Sequence, residues 1–180
     1  MPYFSTRDLA AISLSSAIWA VINWLVSPIF WQLTHLPVLC DMLGISTLIV
    51  TAWWLRKPGS IAFVGLVATV LNFILRPDAN QFLGFTVASI FFDVVLSLLS
   101  YDLAVEGGMR SNVILFSVSG IASTIAGFII GNLFLNPGLL ASMFGTAYVF
   151  ALIHGAGGLA GSLIGIALIR GLESRRVVPQ

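Results

Sequence analysis

Two ionisable side chains stand inside long apolar stretches, and they are the residues best placed to do chemistry. Asp93 lies within Phe82–Ser100, a stretch of membrane-spanning character with no other charge in it. A carboxylate at that depth costs about 2.5–3.5 kcal/mol on insertion scales. His154 lies within Leu139–Ile169, about fifteen residues from either end. A carboxylate can neutralise a cation or accept several hydrogen bonds, and an imidazole can bond to a ligand or carry a proton. The pair could therefore hold a solute or relay protons. The plain alternative for Asp93 is a structural bond to a neighbouring helix. Asn23, Asn72 and Asn132 are bulky polar groups that also need partners in lipid.

The elements that must position these residues follow from composition. The chain has 180 residues, 58% hydrophobic and 8% charged, with a mean hydropathy of +1.03. Soluble domains carry about 25% charged residues. The expected fold class is an all-α membrane protein, a bundle of six transmembrane helices forming one domain over residues 1–180. Spans are predicted at Leu9–Trp31, Pro37–Leu55, Ser60–Leu75, Phe82–Ser100, Ser111–Leu135 and Leu139–Ile169, since about twenty apolar residues cross a bilayer. Turn signals at Lys57-Pro58-Gly59, Arg76-Pro77-Asp78, Glu106-Gly107-Gly108 and Asn136-Pro137-Gly138 separate them. No cleavable leader is expected, because the apolar run after Asp8 is long enough to span.

Arg7, Arg56, Lys57, Arg110, Arg170, Arg175 and Arg176 fall on one side of this arrangement, and Arg76 alone on the other. By the positive-inside rule, both termini are cytoplasmic. Asn23, Asn72 and Asn132 then lie in the outer half, near Gln32, His35, Asp41 and Asp78 of the outer connections. The inner halves offer mostly serine, alanine and glycine. This distribution predicts a polar cavity open to the outside and closed to the cytoplasm, with Trp31 and the loop through His35 as its cover and Tyr148 near His154. Trp53 and Trp54 are expected to anchor the cytoplasmic interface. Stripes of small residues, such as Ser13, Ser16 and Ala20 or Gly158, Gly161 and Gly165, advance by three and four and suit close helix packing.

Several classes are excluded by pattern. No phosphate-binding loop, no His-Glu-x-x-His and no Gly-x-Ser-x-Gly occurs, and the chain is not expected to be an enzyme. Two histidines and one cysteine, Cys40, are too few for a convincing metal site or an intrachain disulfide. No cofactor is expected. No basic patch suggests nucleic acid. The remaining readings are a solute-binding membrane subunit, a proton-coupled carrier using Asp93 and His154, and an assembly subunit.

Six short helices with an outward polar cavity and no ATPase motif resemble the substrate-binding S component of an energy-coupling factor (ECF) vitamin transporter. Segment Trp54-Leu55-Arg56-Lys57-Pro58-Gly59-Ser60 and the acidic Asp93 within the fourth helix look like the thiamine or hydroxymethylpyrimidine members. The family's Ala-x-x-x-Ala docking pattern on the first helix is matched only by Ser13-x-x-x-Ala17 and Ser16-x-x-x-Ala20. The resemblance implies a multi-pass protein of the cell membrane that binds a vitamin-like molecule from outside. Its implied partners are a transmembrane coupling subunit and two cytoplasmic ATPases. It implicates Trp31, His35, Asp93, Asn132, Tyr148 and His154 in binding, beside Asn23 and Asn72 from their position. The faces of Ser13, Ser16, Ala17 and Ala20 and of Gly158, Gly161 and Gly165 are the candidate docking surfaces.

Overall fold

The computed structural model describes residues 3–179, and among these every regular element is a helix. Eight helices follow in order: α1 (Thr6–Thr34), α2 (Val38–Leu55), α3 (Ser60–Leu75), α4 (Phe82–Leu99), α5 (Tyr101–Val105), α6 (Gly108–Leu133), α7 (Pro137–Phe144) and α8 (Ala147–Ser174). Five of them, α1, α2, α4, α6 and α8, are long and apolar enough to cross a membrane. The chain is a multi-pass membrane protein by this measure. Helix α3 runs beside them with sixteen residues, about 24 Å at 1.5 Å per residue.

The long helices and α3 close into a ring. Helix α1 packs on α2 and α3, α3 on α4, α4 on α6, α6 on α8, and α8 back on α2. The helices α1, α3 and α6 begin, and α2, α4 and α8 end, at one face of the bundle, here the terminal end. Side chains there tie the elements together. Lys57 Nζ reaches Asp8 Oδ2 at 2.5 Å, Arg56 pairs with Asp102 at 3.2 Å, and Ser111 donates to the Ala104 carbonyl. Trp53 is fully buried, and its indole N–H donates to Glu173 at 3.1 Å. It is a core residue joining α2 to α8, in place of the expected interfacial anchor.

Local chemistry explains the boundaries. Ser5 and Asp8 form a reciprocal capping box at the start of α1. Asn136 caps α7, with Pro137 at its first position. The predicted last span, Leu139–Ile169, is two helices. Gly145 takes φ +75°, a left-handed value that breaks the run, and Thr146 then caps α8 by accepting from Val149 N–H. Small-residue stripes do the packing. A Cβ on Gly65 would lie 2.3 Å from Ser89 on α4, so only glycine allows this α3–α4 approach.

Candidate functional site

Asp93 sits at the terminal end, and its environment is fully occupied. Helix α3 starts after Gly59 and has no side-chain cap of its own, which leaves its first N–H groups without intrahelical partners. Asp93, on the neighbouring α4, supplies the missing acceptors. Its Oδ1 accepts from Gly59 N–H at 3.1 Å and its Oδ2 from Ala62 N–H at 3.0 Å. Tyr101, the first residue of α5, donates its hydroxyl to the same carboxylate. Burial, with that carboxylate alongside, pushes the Tyr101 hydroxyl above its ordinary range and keeps it the donor. The negative charge also faces the positive end of the α3 dipole. Asp93 is 3% exposed, and both its oxygens are engaged by neighbouring donors. The expectation that it faces an outward polar cavity is therefore corrected: the carboxylate caps one helix from another.

His154 finds a different acid. Its Nδ1 lies 2.7 Å from Asp41 Oδ2, both side chains being almost wholly buried. The contact is close but poorly aligned for a hydrogen bond, and His154 Nε2 has no partner. Asp41 is in the first turn of α2 and His154 in the second turn of α8. The pair thus lies in the half of the bundle opposite the Asp93 cap, and a relay joining Asp93 to His154 is not formed. Glycines create the approach. A Cβ on Gly157 would stand 3.0 Å from the Cβ of Asp41, and one on Gly161 3.0 Å from the Asp41 carbonyl oxygen. On the α6 side, a Cβ on Gly127 would meet the His154 ring at 2.8 Å. The Ser123 hydroxyl lies beside the Asp41 carboxylate. Ser119, Ser123 and Ser162 are buried with hydroxyls that have no well-aligned partner. Buried polar atoms are nearly always well paired, so this concentration of loosely partnered ones makes the region the candidate site.

Aromatic rings lead from the bundle's far end to this pair. Phe150 stands edge-on to His154 with centroids 4.6 Å apart, and Phe144 of α7 stands 4.9 Å from Phe150. Trp31, at the end of α1, lies 6.4 Å from Phe144 and 6.2 Å from His35. Trp31 and His35 thus join the site through this row, as a cover, rather than by touching His154. The pair beneath is closed over. Two recesses, of about 550 and 360 Å³, lie on the outer surface between α6 and α8.

The other sequence candidates are placed elsewhere. Tyr148 is 71% exposed, stacks on Phe128 and lines the smaller recess. Six residues turn a helix by about 600°, which leaves Tyr148 about 120° away from His154, whereas Phe150 at four residues shares its face. Asn132 is exposed and donates to its own helix at the Phe128 carbonyl, 2.7 Å away. Asn23 and Asn72 are buried against each other, Nδ2 to Oδ1 at 3.4 Å, with Ser27 donating to Asn23 and Asn72 donating to Ala68 O. They fasten α1 to α3, and each amide nitrogen and oxygen has a partner there.

The docking candidates divide likewise. Gly158 fits under Ser119 and Ser123, Gly161 under Asp41 and Met42, and Gly165 under Ile49. All three are internal packing positions, which corrects their assignment to a partner surface. Ser16 donates to the Ile12 and Val64 carbonyls and Ala20 is buried. Only Ser13, with half-buried Ala17, remains on the outer surface of α1.

Asp41 is the functional candidate that sequence reasoning left among the outer connections. The signal was present: Asp41 falls inside the predicted span Pro37–Leu55, one turn from its start, where an acid taken out of water also needs a partner. Comparison of the chain with protein-family models, with curated proteins and with solved structures returned no match.

Proposed function

We propose that the chain is a membrane subunit that binds a small solute from the face opposite its termini, with Asp41 and His154 as the binding centre. The observation that carries this reading is the buried acid–imidazole pair, left with an unpaired His154 Nε2 and unpaired serine hydroxyls beneath the aromatic row Trp31–Phe144–Phe150. Such a site offers one negative charge, directional bonds and ring faces, the equipment that orients a flat, nitrogen-rich molecule. In this reading Asp41 takes the charge-neutralising role first expected of Asp93. The basic residues of the terminal end make that end cytoplasmic and the aromatic cover extracellular.

The ECF resemblance supplies the wider proposal. The chain acts as the S component of an ATP-driven importer in the cell membrane, for a vitamin or precursor of the thiamine or pyrimidine type. A transmembrane coupling subunit and two ATPases energise it, and the exposed face of α1 around Ser13 and Ala17 is the surface left for docking. The test is native mass spectrometry and thermal shift of purified protein against a panel of vitamins and their heterocyclic precursors. A ligand that binds wild-type protein and loses at least about tenfold affinity in both Asp41→Asn and His154→Ala supports the reading, since a charge-assisted bond contributes about 1.5–3 kcal/mol. Unaltered affinity in both variants would remove the pair from the site.

The same pair also supports a second reading, a stand-alone carrier in which His154 and Asp41 exchange a proton during transport. Uptake that collapses with the proton gradient, and persists without ATPase partners, would favour it over the importer subunit.

A further inference from the structure

One recess lies on the outer surface of the bundle, between the start of α6 and the end of α8. It measures about 550 Å³, within the range of about 300–1,000 Å³ usual for ligand sites. Val113, Phe116, Leu163 and Ile166 form apolar walls, with Arg170 and Asn112 among the lining residues on the terminal side. From Arg170 to Leu163 the walls run for about 10 Å along α8. The recess therefore pairs a polar, cationic mouth with an apolar channel directed toward mid-membrane.

The cation at this mouth has no anion of its own. Arg170 is exposed and forms no ion pair or hydrogen bond among the described residues. Glu173, one turn on, is held by the Trp53 indole. Asp8 is held by Lys57, Asp102 by Arg56 and Asp93 by the start of α3. Asp41 is with His154 in the other half of the bundle. Asn112 is half-buried at the same level, and its amide has no hydrogen-bond partner among the described residues.

We infer that this groove is a binding site for an anionic phospholipid, whose phosphate sits on Arg170 and Asn112 while an acyl chain lies between Phe116 and Leu163. The charge at the mouth selects the headgroup, and the apolar walls distinguish a lipid from a free anion. The inference is independent of the solute-binding proposal and needs only that the helices span a bilayer.

Native mass spectrometry of detergent-purified protein with equimolar phosphatidylglycerol and phosphatidylcholine tests it. Wild-type protein should retain phosphatidylglycerol about fivefold over phosphatidylcholine, the usual effect of one basic residue on an anionic lipid. Arg170→Gln should bring the two to parity, while Arg175→Gln, outside the groove, should leave the preference intact. Ala167→Phe, which fills the groove from its α8 wall, should reduce retention of both lipids. All three positions are exposed, and thermal unfolding of each variant verifies its fold. Equal retention by wild-type protein, or a preference that survives Arg170→Gln, overturns the inference. So does displacement of the lipid by millimolar inorganic phosphate, which would make the mouth a free-anion site.

Discussion

Replacing Asp93 separates a helix cap from a ligand-binding carboxylate. The wild-type side chain accepts from Gly59 N–H, Ala62 N–H and Tyr101 O–H, all in a buried setting. Asp93→Ala leaves three donors without acceptors. Each unpaired buried donor costs about 1–3 kcal/mol, and loss of a side-chain cap typically costs about 0.5–2 kcal/mol. Allowing the frayed first turn of α3 to reach water, a loss of about 3 kcal/mol is expected. Asp93→Asn keeps one acceptor oxygen but turns an NH₂ toward a donor, and about 2 kcal/mol is expected. Unfolding in mixed micelles, titrated with a denaturing detergent, measures both. A double-mutant cycle with Tyr101→Phe adds a sharper reading, because groups in contact couple by about 0.5–3 kcal/mol. Solute affinity per folded molecule should be unchanged in Asp93→Asn. Wild-type stability in both variants would refute the cap, and so would a folded Asp93→Asn protein that has lost solute binding tenfold.

Three further outcomes follow from the packing. Gly158→Ala places a Cβ 2.6 Å from the Ser119 carbonyl oxygen and 2.3 Å from the Ser123 hydroxyl, so α6 and α8 must separate, with a loss of about 1–3 kcal/mol in the same unfolding assay. Gly127→Ala pushes against the His154 ring and the Ala151 backbone, both 2.8 Å from a Cβ there; stability should fall in the same assay, and the ligand-induced thermal shift should fall with it. Asp41→Ala alone should destabilise by about 1–3 kcal/mol, because it strands the buried imidazole, whereas the pair Asp41→Val with His154→Leu, apolar and closer in volume, should recover part of that stability while binding no solute.

Helix positions were readable from the sequence because apolar length and turn residues specify them directly. The starts of α3 and α4 and the end of α2 match the expected spans to the residue. The break at Gly145 was harder to see, since α7 and α8 are both apolar and no charge or proline separates them. Side-chain partnerships were less legible still. Asp93 and His154 each stand alone in a hydrophobic run, and sequence spacing cannot tell which neighbouring helix faces them. The ring order puts α3 beside α4 and α2 beside α8, which gives Asp93 the uncapped start of α3 and gives His154 the acid Asp41. Ser60, the residue a sequence reading would take as the cap of α3, makes no capping bond, and Gly59 before it has no side chain to offer, so the acceptor comes from Asp93. The asparagines misled for a related reason: Asn23 and Asn72 satisfy each other, so polarity at that depth reported helix pairing rather than a cavity.

The terminal end and the α7 cover are held by different forces, which bears on where the proposed site would open. At the terminal end the ties are directional: the Asp93 cap, the Lys57–Asp8 and Arg56–Asp102 pairs, and Trp53 on Glu173. Parting the Asp93 cap or the Trp53 bond strands buried or half-buried donors. At the far end α7 meets α1 and α8 through Trp31, Phe144 and Phe150, contacts that contribute about 0.5–1.5 kcal/mol each beyond area burial and can slide without leaving a polar group unpaired. Helix α7 has eight residues and none is buried. On the proposed function, access to His154 would come by lifting α7 and Phe144 rather than by spreading the terminal end. Hydrogen exchange measures the difference directly: the amides of α7 and the first turn of α8 should exchange well ahead of Gly59 and Ala62, and a bound solute should slow the former group alone. Faster exchange at Gly59 and Ala62 than in α7 would reverse the assignment and place the opening on the side of the termini.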